Sequence, residues 1–95
     1  MAAYILVDCE VTDPARYEEY RALAPAAIAR YGGRYLARGG ETVKLEGEWI
    51  PRRVVVLEFP SLDAARAFHD SPEYRAAREV RKDAAKMDMI AVAGV

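Results

Sequence analysis

The chain has 95 residues, of which 53% are hydrophobic and 31% charged, a balance that excludes disorder and points to spare apolar surface. A chain this short buries only about 60 to 65% of its unfolded surface, enough for one domain spanning 1–95. A net charge of -1 and a pI near 5.8 leave no basic stripe for nucleic acid. The apolar run at the start is too short for a signal peptide or a membrane span, so the expected location is cytoplasmic, with no membrane partner.

From Ala3 to Val11 the residues alternate as in a strand, with Ile5, Val7, Cys9 and Val11 on one face and Tyr4, Leu6, Asp8 and Glu10 on the other. Cys9 is the single cysteine, so no intramolecular disulfide or thiolate metal cluster exists, and it reads as a small buried hydrophobe. Asp13 and Pro14 mark a helix start. Tyr17, Tyr20, Ala24, Ala27, Ile28 and Tyr31 then form one apolar stripe, interrupted by Pro25, where a kink or restart is expected. Gly32 and Gly33 end the helix.

Arg34 to Arg38 is the second strand, with Tyr35 and Ala37 facing opposite to Arg34, Leu36 and Arg38. The third is Arg53 to Phe59, closed by Pro60. The segment between them is longer than a hairpin loop, and Thr42-Val43-Lys44-Leu45 alternates well enough to be an extra strand. Ser61 caps a short helix, Ser71-Pro72-Glu73 starts another, and the last strand runs from about Met87 to Val95.

This order is βαββαβ, the α+β ferredoxin-like arrangement of a four-stranded antiparallel sheet with helices on one face. Val54-Val55-Val56-Leu57 is apolar on both faces, although a sheet covered on one side should alternate cleanly. An identical subunit is the economical cover, giving a homodimer through the sheet face.

Essentially the whole chain resembles the domain-of-unknown-function family 1330 (DUF1330) of the dimeric α/β-barrel superfamily. The residues that carry the resemblance are Asp13 with Tyr17 and Tyr20, Tyr31-Gly32-Gly33-Arg34-Tyr35-Leu36, Arg38-Gly39-Gly40, Leu45-Glu46-Gly47-Glu48-Trp49, Arg53 with Leu57-Glu58-Phe59-Pro60-Ser61, and Ser71-Pro72-Glu73-Tyr74 with Arg81. The resemblance implies a ferredoxin-like protomer whose sheet pairs with a second copy into a barrel. Proteins of the wider superfamily look like cofactor-independent monooxygenases, haem-degrading enzymes, isomerases and ligand-binding modules. Family members usually carry an aromatic residue where this chain has His69.

Several residues are candidates for chemistry. Arg81 shares a helix face with Tyr74, Ala77 and Ala84, so its guanidinium needs a partner: an ion pair with Glu58, Glu46 or Asp8, an outward snorkel, or, together with Arg38, an anionic small molecule. Asp8 and Glu58, on neighbouring strands, would supply a general base only if they met in a desolvated place. His69 is the default acid, base or haem ligand, or a packing residue beside Phe68. Tyr17, Tyr20, Tyr35 and Tyr74, with Trp49, read either as walls of a pocket or as rim-of-core residues, and Trp49 is expected at the dimer interface. The charge runs, Arg52-Arg53 among them, read as solvated or paired groups. No metal site, phosphate loop, dinucleotide fingerprint or nucleophile elbow is present, and no cofactor is expected. The resulting expectation is an uncharacterised homodimeric module that binds a small molecule. The alternative is a cofactor-independent oxygenase or isomerase acting on a small polar aromatic or lactone-like substrate.

Overall fold

The alternating run at the start of the chain pairs on both sides. In the computed structural model, which describes residues 1–95, strand β1 (Ala3–Val11) lies antiparallel between β3 (Val54–Phe59) and β4 (Ala85–Ala93), and β2 (Arg34–Arg38) pairs with the other edge of β3. The sheet order is β2-β3-β1-β4. Helices α1 (Pro14–Arg30), α2 (Leu62–His69) and α3 (Pro72–Arg81) complete the expected ferredoxin-like topology, with the second helical unit divided in two.

All three helices cover one face. Ile5, Val7 and Cys9 are buried beneath them, while Leu6 between them is 39% exposed. Phe59, Phe68 and Tyr74 are the largest fully buried side chains, with Phe68 centred 5.0 Å from Phe59 and 4.3 Å from Tyr74. Leu6, Ile90 and Val92 leave the opposite face apolar and open.

Local chemistry sets the helix limits. Asp13 accepts from the Arg16 amide, Ser61 from the Ala64 amide and Ser71 from the Tyr74 amide. Ser71 is itself buried, and its hydroxyl donates to the Phe68 carbonyl at 2.7 Å, tying the end of α2 to the start of α3. At the end of α1 the Gly32 amide donates to Ala29 and the Gly33 amide to Ile28, a Schellman closure that needs the φ of +80° at Gly32. Gly33 serves packing instead, since a Cβ there would come within 2.6 Å of the Phe59 ring.

Four expectations from the sequence are corrected. Helix α1 runs through Pro25 without restarting, because the buried Ala24, Ala27 and Ile28 around it hold the backbone on the sheet. The segment Thr42-Val43-Lys44-Leu45 is not a strand: it is exposed and pairs with neither outer edge of the sheet, β2 or β4. Strand β3 begins at Val54, and β4 spans Ala85–Ala93. Finally, β2 contains a bulge. Tyr35 opposes Leu57, but Ala37 opposes Val56 and Arg38 opposes Val55, leaving Leu36 as the extra residue. Tyr35 and Arg38 therefore point to the same, helix-covered face.

Candidate functional site

The bulge places Arg38 with its guanidinium carbon 4.5 Å from the centroid of the Tyr35 ring. Both residues line a small cavity between sheet and helices, walled by Tyr17 and Tyr20 from α1, Tyr74 from α3 and Arg53 from the approach to β3. Arg53 is fixed there by its backbone, whose carbonyl accepts from the Cys9 amide at 2.9 Å. Gly39, at φ +69°, leaves room for the Arg53 guanidinium, which a side chain at that position would strike. The enclosed space is about 40 Å³, room for one or two waters.

The polar groups of this cavity are hydroxyls and guanidiniums. The Tyr20 and Tyr74 hydroxyls share a hydrogen bond of 2.6 Å, and the Cys9 thiol donates to the Tyr17 hydroxyl at 3.8 Å. Burial pushes the Tyr17 phenol up to about 12, moves Tyr20 further in the same direction, and raises Tyr35 and the Cys9 thiol. All four groups therefore stay protonated at neutral pH. Arg81 stands with its guanidinium carbon 5.5 Å from the Tyr20 ring centroid, and Arg78 stands 6.0 Å from that of Tyr74. No Asp or Glu lines the cavity. The Nε atoms of Arg53, Arg78 and Arg81 are buried without a hydrogen-bond partner.

The sequence candidates divide accordingly. Tyr17, Tyr35, Tyr74 and Arg38 meet at the cavity, and Arg81 flanks it through Tyr20. Arg81 forms no ion pair with Glu58, Glu46 or Asp8: Glu58 is engaged by Arg34 at 2.7 Å, Asp8 by other donors, and Glu46 is exposed in the long loop. Asp8 and Glu58 do not meet. Both lie on the open face of the sheet, where Tyr4 opposes Glu58 and Asp8 opposes Val54, a separation of four residues or about 13 Å.

Asp8 accepts from the Arg52 amide at 2.9 Å and from the Trp49 indole at 3.0 Å. These bonds hold its carboxyl below the ordinary range, opposite to what a general base needs. Trp49 is consequently set on the open face beside Leu6, Val54 and Ile90, so the structure does not bring it to the tyrosine cavity. His69 lines a different cavity, between α2 and β4, although its ring also lies 5.6 Å from that of Tyr74. Burial, then Arg78 and Arg81, push its pKa down. No three His, Cys, Asp or Glu side chains stand together in a way that could hold a metal ion.

Arg53 is the residue that sequence reasoning missed, having read as half of a solvated Arg52-Arg53 pair. The one usable signal was Gly39, whose missing side chain makes its space. Arg52 does behave as expected, pairing with Glu10 at 3.4 Å.

No helix is long and apolar enough to cross a membrane. No curated protein matches the chain. Solved structures do. A protein of unknown function from Rhodopseudomonas palustris superposes with a TM-score of 0.77 at 20% identity, over 99% of this chain and 82% of that one. A dimeric ferredoxin-like protein of unknown function from Thermobifida fusca gives 0.67 at 20% identity, over 99% and 92%. SnoaB, a cofactor-independent oxygenase from Streptomyces nogalater, gives 0.66 at 16% identity, over 99% and 93%. At these identities the likeness is one of fold. The sequence model of the family described as "Domain of unknown function (DUF1330)" matches residues 2–95, and the chain belongs to that family.

Proposed function

We propose that the protein is a homodimeric binding module of the cytoplasm whose ligand is a small planar anion, such as an aryl carboxylate. The ligand sits between sheet and helices, its ring against Tyr17, Tyr35 and Tyr74 and its charge toward Arg38, Arg53 and Arg81. One observation carries this reading: Arg53 buries an Nε with no partner in the carboxylate-free aromatic cavity, and Arg81 and Arg78, over the Tyr20 and Tyr74 rings that wall it, each bury another. A buried donor left unpaired costs about 1 to 3 kcal/mol, more when charged, and an anion would recover that cost with charge-assisted bonds.

The space of about 40 Å³ is well below the roughly 300 to 1,000 Å³ of ordinary ligand pockets. Ligand entry therefore requires the stacked Arg38 and Tyr35 at the mouth to swing aside. The dimer is supported by the open apolar face and by the dimeric relative from Thermobifida fusca. Calorimetric titration of the protein with benzoate and with benzyl alcohol tests the reading. Saturable binding of benzoate, weakened about tenfold or more in Arg53→Gln and Arg81→Gln, is expected. Equal binding of the neutral alcohol would refute the anionic ligand.

A second reading, an oxygenase or isomerase that needs no cofactor, is favoured by the similarity to SnoaB. It ranks lower because no carboxylate or imidazole lines the cavity to act as a base. Oxygen uptake with the bound ligand separates the two.

A further inference from the structure

Asp8 lies outside the tyrosine cavity, yet it holds two donors from the loop that ends there. Its Oδ1 accepts from the Arg52 amide at 2.9 Å and its Oδ2 from the Trp49 indole at 3.0 Å. Trp49 is 68% exposed, so the bond to Asp8, rather than burial, is its main tether. The place is an unfavourable one for a carboxylate. Asp88 stands directly opposite on β4, and like charges so placed destabilise a sheet. The cations on this face do not relieve it: the Arg52 guanidinium pairs with Glu10 at 3.4 Å, Lys86 stands opposite Glu10, and no ion pair reaches Asp8.

Arg52 and Arg53 are successive residues whose side chains go to opposite faces, the first to Glu10 and the second to the cavity with Tyr17, Tyr20 and Tyr74. Strand β1 grips this dipeptide at both ends. The Asp8 carboxylate takes its first N–H, that of Arg52, and the Cys9 amide donates to its last carbonyl, that of Arg53, at 2.9 Å. With both ends bonded, the backbone dihedrals between them are held, and the Arg53 side chain leaves from a fixed Cα. It then passes Gly39, whose missing side chain gives it room, and buries its Nε without a partner. A binding group has to be kept within about 0.5 Å of its productive place, and over the length of an arginine a small backbone rotation exceeds that.

We propose that Asp8 is a positioning residue for the anion site: by clasping the Arg52 amide and the Trp49 indole on the open face, it fixes where Arg53 presents its guanidinium beneath the helices. Asp8 itself touches no part of the ligand, and its effect runs through the backbone of Arg52 and Arg53. The sign of that effect separates it from plain electrostatics. Through space, a carboxylate near an anion site repels the anion, so removing its charge strengthens binding. Through the clasp, removing Asp8 lets Arg53 drift and weakens binding.

This inference rests on the anionic ligand proposed above, and the test keeps the two apart. The full chain and its Asp8→Ala, Asp8→Asn and Glu10→Gln variants are titrated with benzoate by calorimetry at neutral pH, with folding checked by circular dichroism. Asp8→Ala loses both bonds of the clasp. Asp8→Asn keeps an oxygen for the Arg52 amide but offers the indole a nitrogen that cannot accept. Benzoate affinity is expected to fall about fivefold or more in Asp8→Ala and less in Asp8→Asn. It should not fall in Glu10→Gln, which removes the same charge from the same face. A second readout needs no ligand: the Arg53 Nε–H signal in nitrogen-15 spectra, identified by its loss in Arg53→Gln, should exchange with water faster in both Asp8 variants than in the native chain. Unchanged or tighter benzoate binding by folded Asp8→Ala overturns the proposal, as does an equal weakening in Glu10→Gln. If the native chain does not bind benzoate, the anionic ligand falls and the exchange of the Arg53 Nε–H decides the positioning alone, faster exchange supporting it and unchanged exchange overturning it. If Asp8→Ala does not fold, Asp8→Asn and Trp49→Phe carry the same two readouts.

Discussion

The hydroxyls of Tyr20 and Tyr74 lie 2.6 Å apart at positions 8% and 1% exposed. Removing one by Tyr74→Phe deletes a hydrogen bond and leaves the Tyr20 hydroxyl buried and unpaired. The lost bond is worth about 1 kcal/mol, and an orphaned hydroxyl costs about 1 to 3 kcal/mol. The adjoining cavity, large enough for a water, offsets part of the second figure. The expected destabilisation is therefore about 1 to 2 kcal/mol for Tyr74→Phe and the same for Tyr20→Phe. The double variant removes both partners, leaves no orphan and should cost little more than either single change. Their coupling is then about 1 to 2 kcal/mol of non-additivity. Urea unfolding followed by circular dichroism measures it, at one fixed protein concentration because dimer stability varies with concentration. Strict additivity would refute the reasoning, for it would mean that the two hydroxyls do not satisfy each other.

Other expectations are independent of that pair. Folding raises the Tyr17 phenol from an ordinary 10.0 to about 12, so the folded chain keeps a proton that the unfolded chain releases. That stability is full below about pH 10 and is lost as the pH rises toward 12, and alkaline unfolding of Tyr17→Phe should lack this component. Folding lowers the Asp8 carboxyl below its ordinary 3.8, so its contribution is present above that value and is lost as the pH falls through the depressed one. Fluorescence of Trp49, the single tryptophan, should stay constant at neutral pH, shift on acidification, and be shifted already at neutral pH in Asp8→Ala. Gly39→Ala should cost about 1 to 3 kcal/mol, because a side chain at φ +69° is strained and strikes Arg53. Gly40→Ala, with nothing near its Cβ, should be close to neutral, and equal losses at both would contradict the assignment. Leu6→Lys on the open face should give a folded monomer by light scattering.

The parts of the fold that follow a local period were legible. Alternation gave β1, three-and-four spacing gave the buried face of α1, and Asp13, Ser61 and Ser71 marked helix starts that the structure realises as caps. What depends on a second element was not. The bulge at Leu36 belongs to the ladder with β3, and no feature of Arg34 to Arg38 alone reveals that Tyr35 and Arg38 share a face. The fate of Asp8 is decided by a loop that returns more than forty residues later to supply Trp49 and Arg52. Arg53 looked solvated beside Arg52, and only the approach of Gly39 and the Cys9 amide separates the two. The strand-like alternation of Thr42 to Leu45 was readable, but the segment lies unpaired and exposed.

The most direct measurement is a crystal structure of the full chain with benzoate bound. For an anion site, the carboxylate lies within hydrogen-bond distance of the Arg53 or Arg81 guanidinium, the ring packs among Tyr17, Tyr35 and Tyr74, and Arg38 has swung away from Tyr35. A cavity still closed and empty at saturating benzoate, with those arginines turned outward to protein carboxylates, would contradict it.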